Sequence, residues 1–378
     1  MIYLDGTATT KPSKEAIRDF NFACERYWFN PSSTNYTDGM STNIMLYNSR
    51  KIIADCIGCE PDNIIFTSGS TEGINWVMKC GGWDEIILST IEHPAVDNTA
   101  KYLRSIGKMI SYIPVNTHGI VDMDVLIDKL EAAQLNSRRA LVCIMDSNNE
   151  IGTVQTTQDL ITITHSYGAK YLCDMTQSFA HSDVVSVNMG YDYAVASAQK
   201  FHGIRGIGFV YAHNPTSLTP LLHGGHQEAN LRAGTEPLPL IYSMANQFKR
   251  VCEDRKSVYE CLSDMKYCFL ENLEFEHIVN GYIVSIPSVI SLQIPGIDAN
   301  KLLTLLDMDG ICVSAGSACS TGENKPSRIL KAIGLSDEAA RSTIRISLDE
   351  SLTQDELYAA ISSLNKNVKT LKRMGIYG

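Results

Sequence analysis

Between residues 60 and 211, short apolar runs rich in β-branched residues alternate with helical patterns, and this alternation restricts the fold more than any other feature. Residues 63–67, 85–89, 140–145, 171–174, 193–197 and 208–211 read as strands. Runs this apolar suit burial on both faces, which predicts a mostly parallel sheet covered by helices, an α/β fold. Pro215, Pro220, Gly224, Gly225, Pro237 and Pro239 punctuate the irregular stretch that follows, and the pattern changes character near residue 245. Beyond it, charged helical sequence over 248–275 leads to strand-like 288–293, a helix near 299–306, a short strand at 311–313 and strand-like 342–348, an α+β pattern. Thr353 and Glu356 spell a capping box for a last helix whose apolar stripe is Leu357, Ile361, Leu364, Val368 and Leu371. No internal repeat or low-complexity tract interrupts this order.

The 378 residues, 44% of them hydrophobic, suffice for a large core and by length alone for two or three units. A net charge of −10 argues against a general affinity for nucleic acid or anionic lipid, both of which reward basic surfaces. Apolar stretches such as 283–294 are broken by Ser and by Pro287 and fall short of the roughly 20 residues of a membrane helix. Eleven cysteines without repeated spacing, behind a start that lacks a charged leader and apolar run, predict free thiols in a reducing, cytoplasmic compartment.

Three features carry chemistry. Lys200 follows the strand 193–197 and precedes Gly203, Gly206 and Gly208, so its amine emerges at a sheet edge beside a close-approaching backbone. A solvated surface lysine is the alternative that position alone leaves open. Asp174 closes an apolar strand, where ligands bind in open α/β sheets, although a helix N-cap or turn would use the same residue. Ser68-Gly69-Ser70-Thr71-Glu72-Gly73 follows a strand and opens a helix, offering backbone N–H groups to a phosphate. A lysine, an acid and a phosphate cradle are what a pyridoxal-phosphate (PLP) enzyme requires. The Gly203-x-x-Gly206-x-Gly208 spacing is not the dinucleotide fingerprint.

In order along nearly the whole chain, Tyr3-Leu4-Asp5, Asn30-Pro31-Ser32-Ser33, Phe66-Thr67-Ser68-Gly69-Ser70-Thr71-Glu72, Glu92-His93, Asn148-Asn149-Glu150-Ile151-Gly152, Asp174-Met175-Thr176-Gln177-Ser178, Ser197-Ala198-Gln199-Lys200 and Leu231-Arg232-Ala233-Gly234-Thr235 resemble cysteine desulfurases. The resemblance implies PLP fold type I, with a large domain at 14–245 built on a mostly parallel seven-stranded sheet. It also implies a smaller α+β domain, 1–13 with 246–378, and a homodimer with active sites at the subunit interface. Lys200 resembles the Schiff-base lysine, Asp174 the partner of the pyridine nitrogen, and His93 the residue stacked on the ring with a share in proton transfer. By itself, His93-Pro94 is more commonly a structural turn. Gln177 resembles the donor to the phenolic oxygen, Asn149 a cofactor and substrate contact, Asn30 a substrate contact, and Ser70, Thr71, Ser197 and Gln199 cofactor-binding residues. Thr235 resembles the phosphate ligand supplied by the neighbouring subunit.

Desulfuration needs a nucleophile that reaches the substrate's sulfur. Cys319 lies in Ser314-Ala315-Gly316-Ser317-Ala318-Cys319-Ser320-Thr321-Gly322, which resembles the family's catalytic loop, and Arg345 resembles the residue that grips the α-carboxylate. The implied reaction takes sulfur from L-cysteine, releases L-alanine and leaves a persulfide on Cys319 for an acceptor, an iron–sulfur scaffold or a tRNA or DNA thiolation enzyme. Selenocysteine lysis, transamination and a non-catalytic sulfur-transfer scaffold are the rival readings. Cys56-Ile57-Gly58-Cys59 has no second pair at zinc-site spacing and reads as helix packing. The chain departs from the family pattern at Gln199, where histidine is usual, in Gly224-Gly225-His226-Gln227-Glu228-Ala229-Asn230, and in Asp5-Gly6-Thr7-Ala8-Thr9-Thr10.

Overall fold

The computed structural model describes residues 1–182, 186–281, 283–316 and 326–375. Its strands, in chain order, are β1 (Ile2–Tyr3), β2 (Ile64–Thr67), β3 (Glu85–Ser89), β4 (Met109–Ile113), β5 (Ala140–Cys143) and β6 (Lys170–Asp174). They continue with β7 (Tyr193–Ser197), β8 (Gly208–Ala212), β9 (Ile278–Asn280), β10 (Val289–Gln293), β11 (Ile311–Cys312) and β12 (Thr343–Ser347). The large sheet has seven strands in the order β2-β8-β7-β6-β5-β3-β4. All run parallel except β8, which lies antiparallel to both of its neighbours. The expected mostly parallel sheet is therefore present, and β2, β3, β5, β6, β7 and β8 are buried along their whole length, apart from the exposed Lys170 that opens β6.

Three strands fall outside the sequence expectation: the two-residue β1, β4 and β9. β4 is the edge of the large sheet and buries only Ile113 fully, although Met109-Ile110-Ser111-Tyr112-Ile113 is mostly apolar. The three-residue β9 is the edge of the small sheet β12-β10-β9 and is mostly exposed.

The direction of chain travel reverses between β3 and β5: β3 leads outward to β4, whereas β5 leads the other way to β6 and β7. Such a switch leaves a crevice at the carboxyl ends of the strands. The segments after β3 and β5, which carry His93 and Asn149, and the last residue of β6, Asp174, open onto it.

A 34-residue helix, Leu238–Glu271, links the two cores. Leu238, Ile241, Met244, Ala245 and Phe248 pack under the large sheet, whereas Leu262 and Phe269 join a second core with Ile290, Leu292, Ile344 and Ile346. Leu4 also belongs to that second core, and β1 pairs with β11, so the amino-terminal residues lie with the small unit. We propose that the two units, 14–245 and 1–13 with 246–378, meet along this helix. The last helix, Gln354–Arg373, forms its capping box, with Thr353 N–H donating to Glu356 at 2.9 Å, and its apolar stripe is buried in the second core.

Phe248 is the hub of an aromatic cluster, its ring centroid 5.2 Å from Phe201, 5.5 Å from Phe179 and 5.6 Å from Phe209. Phe201 directly follows Lys200, so this cluster braces the turn that carries the lysine. Phe248→Ala is expected to cost about 3–5 kcal/mol through the cavity it leaves. The check is the urea midpoint of the large-domain transition, which should fall well below that of the wild type.

Candidate active site

The cradle for an anion is built first. After β2, Gly69 caps the helix Ser70–Cys80, whose first-turn N–H groups have no partners within the helix. Ser197, at the end of β7, accepts from the Ser70 backbone N–H at 2.7 Å and donates to the Ser70 hydroxyl at 2.9 Å, which ties β7 to the helix start. The approach requires glycine: a Cβ on Gly208 would stand 2.3 Å from the Ala196 carbonyl oxygen and 2.7 Å from Gly69 Cα. Glu72 accepts from the Ser68 N–H at 2.8 Å and pairs with Arg232 at 2.9 Å, holding the loop closed.

A cavity of about 310 Å³ opens from this cradle. Ser70, Thr71, His93, Asn149, Asp174, Gln177, Ser197, Gln199, Lys200 and Arg345 all line it, so residues spread over most of the chain converge on one crevice. Lys200 sits in the tight connection between β7 and β8 and donates to the carbonyls of Thr7 and Ala8 at 2.6 and 2.8 Å. Asp174, almost fully buried, accepts from the Thr176 N–H at 3.0 Å. It thus makes the turn bond that its sequence position permits and still faces the cavity.

His93 likewise makes a local structural contact and lines the cavity. Its Nδ1 accepts from the Ala95 N–H at 3.1 Å, capping the helix Pro94–Ser105, which leaves the proton of the neutral ring on Nε2. Burial pushes this imidazole below its ordinary pKa; Lys200 and Arg328 act in the same sense and Asp174 opposes them. Arg345 is 2% exposed in β12 and spans two elements, donating to Asp5 at 2.7 Å and to the Asn149 carbonyl at 3.1 Å.

Two of the assigned positions lie apart. Asn30 is exposed, accepting the Ser32 N–H at 2.9 Å, and Thr235 is exposed as well; neither lines the cavity. Cys319 lies outside the described residues. Conversely, Thr7, Ala8, Met145, Ser147 and Thr176 line the cavity without having been singled out as site residues. The run of small polar residues after β1 was the available signal for Thr7 and Ala8, but their contribution is backbone carbonyl, which a side-chain motif does not announce. Arg328 donates to the carbonyls of Thr90 and Glu92 and so braces the loop that carries His93.

The residues fit the cofactor that the sequence implies. Gln177 Oε1, Thr176 Oγ1 and Arg345 Nε are buried polar atoms without a hydrogen-bond partner among the described residues, and all three residues line the cavity. Such atoms are costly unless something polar meets them. A ring bearing a phosphate and an ionisable nitrogen would find a cradle at Ser70 and Ser197 and a carboxylate at Asp174; the Gln177 amide lines the same wall, its Nε2 donating to the Thr7 carbonyl at 3.2 Å.

Glu92, fully buried beside this cavity, accepts from Ser89 at 2.5 Å and from the Met145 N–H at 3.1 Å. Burial, reinforced by Asp174, pushes its carboxyl up to about 8. The folded state therefore holds a proton that the unfolded chain releases near pH 4, so this contribution to stability is present at low pH and is lost as the pH rises through about 8. Glu92→Gln, which cannot titrate, should flatten the decline in stability between pH 5 and 8. Urea midpoints measured at both values test this; identical slopes in variant and wild type would refute it.

The family model for aminotransferase class-V matches residues 2–359. Cysteine desulfurase IscS of Dictyoglomus turgidum is 33% identical over 387 residues, covering 100% of this chain and 96% of the relative. Among solved structures, a NifS-like protein superposes with a TM-score of 0.89 at 29% identity, covering 98% of this chain and 100% of its own. SspA in complex with cysteine gives a TM-score of 0.81 at 29% identity over 92% of this chain and 99% of its own. Similarity this continuous, over a fold whose lysine, acid and phosphate cradle meet in one crevice, means that the chain belongs to the aminotransferase class-V family, on its cysteine desulfurase branch.

Proposed function

We propose that the protein is a PLP-dependent cysteine desulfurase, taking sulfur from L-cysteine onto Cys319 and releasing L-alanine. The observation that carries this reading is the convergence of Lys200, Asp174, His93, Gln177 and Arg345 on a single cavity. When bound, PLP supplies an electron sink for the carbanion left at the substrate's α-carbon.

The remaining work belongs to the chain. The Lys200 amine would hold the cofactor and is the group that would carry protons at the substrate's α-carbon. The Asp174 carboxylate would favour a protonated pyridine nitrogen, and Gln177, whose Nε2 donates to the Thr7 carbonyl at 3.2 Å without the cofactor, would turn that amide to the phenolic oxygen. His93, with its Nε2–H turned away from the helix cap, stacks on the ring and passes protons. Ser70, Thr71, Ser197 and Gln199 receive the phosphate; glutamine at 199 donates without adding charge. Arg345, already oriented by Asp5 and Asn149, grips the substrate carboxylate with its guanidinium fork, and Asn149 and Asn30 contact the substrate. The Cys319 thiolate then forms an S–S bond to the substrate's sulfur as the Cβ–S bond breaks, and Cβ takes up a proton.

The assembly we propose is a homodimer in which Thr235 completes the partner's phosphate site. The exposure of Thr235 supports this, as do the exposed Met40, Ile44 and Tyr47, which share one face of the helix Thr37–Ile57. The persulfide passes to an acceptor protein, an iron–sulfur scaffold or a thiolation enzyme. No helix among the described residues is long and apolar enough to cross a membrane, and every described cysteine is free, which supports a reducing, cytoplasmic location.

Supplied with cysteine, the purified yellow protein is expected to form alanine and a bound persulfide, both lost in Cys319→Ser. Alanine formation unchanged in that variant would redirect the assignment to another PLP reaction. Arg345→Lys keeps the charge but loses the fork, and should raise KM for cysteine about tenfold or more with a smaller effect on kcat. Steady-state kinetics over a range of cysteine concentrations would separate the two parameters.

A further inference from the structure

Behind Lys200, on the side away from the cradle, lies a second cavity of about 300 Å³ whose wall includes Lys200, His181, His202, Glu350 and Arg250. No step proposed above uses it. His202 Nε2 stands 3.1 Å from Glu350 Oε1 and 3.4 Å from Asp349 Oδ2, and the three donor atoms all lie within 4.8 Å of one another. Bonds of about 2.0–2.2 Å to a tetrahedral ion place neighbouring donors about 3.3–3.6 Å apart. The spacing of the nitrogen from the two oxygens is therefore close to that of two edges of such a site.

Two further observations point to a ligand. The other nitrogen of His202, Nδ1, donates to the Lys11 carbonyl at 3.1 Å, a contact that fixes the ring with Nε2 facing the carboxylates. Metal-bound histidines are oriented in this way. His181 is 8% exposed and lines the same cavity, and its Nε2 has no hydrogen-bond partner among the described residues. A buried imidazole nitrogen facing an ion-sized cluster of ligands is the kind of orphan that a bound water or ion satisfies.

We propose that His202, Asp349 and Glu350 bind one divalent transition-metal ion of the zinc class, with a water as the fourth ligand donating to His181. One imidazole and two carboxylates suit zinc, cobalt or nickel rather than the all-oxygen cages preferred by calcium and magnesium. His202 and the Asp349-Glu350 pair lie on opposite sides of the division between the two units, so the ion would clasp the lysine-bearing turn to the segment after β12. The competing account is a simple ion pair, in which a protonated His202 fills the same position without a metal.

Cobalt(II) added to the full-length, PLP-loaded protein distinguishes the two. The expected result is one tightly bound cobalt per chain with visible bands of nitrogen and oxygen coordination, weakened at least tenfold in His202→Gln and in Glu350→Gln. Retention of the cofactor's own absorbance marks each variant as folded, and either variant suffices if the other fails to fold. Equal uptake by wild type and variants, bands dominated by thiolate charge transfer, or no uptake by the wild type at millimolar cobalt would each overturn the proposal and leave the ion pair.

Discussion

Six of the seven strands in the large sheet point the same way, and the rest of the site depends on that alignment. Parallel strands buried on both faces have no use for polar side chains along their length, so polar groups collect where the chain leaves the sheet. His93 and Asn149 occupy such positions after β3 and β5, Asp174 and Ser197 are the last residues of β6 and β7, and Lys200 follows β7. The single reversed strand, β8, returns the chain immediately after the lysine. Gly208 then lets β7, β8 and the Gly69 turn approach closely enough for Ser197 to reach Ser70.

Crowding polar groups into a buried crevice has an electrostatic cost, and the network of partners offsets it. Glu92 and Asp174 face one another's field at short range; Glu92 responds by holding its proton, which spares the crevice a second negative charge. Arg345 is buried but has Asp5 and the Asn149 carbonyl as partners. The atoms that remain without partners, on Gln177, Thr176 and Arg345, mark where the protein expects a polar guest.

The small unit contributes through long-range tethers. The amino-terminal strand β1 pairs with β11, and the residues that follow it bring the Thr7 and Ala8 carbonyls to Lys200. Arg345 arrives from β12, and the long helix Leu238–Glu271 connects both cores while its Phe248 supports the turn beside the lysine. The crevice is therefore a property of both units together.

What the sequence determined by itself is whatever short-range periodicity and local motif encode. The inner strands, the capping box at Thr353 and Glu356, the small-residue turn at Gly69 and the lysine after β7 are legible because burial on both faces, helix capping and tight turns each impose a residue pattern within a few positions. Strands β1 and β9, of two and three residues, are too short to impose such a pattern. Only the tertiary structure decided that Thr7 and Ala8 offer carbonyls to Lys200, that Arg345 pairs with Asp5, and that His202 meets Asp349 and Glu350. These contacts join residues far apart in the chain, and they depend on strand order and on the packing of one unit against the other, which no local pattern carries.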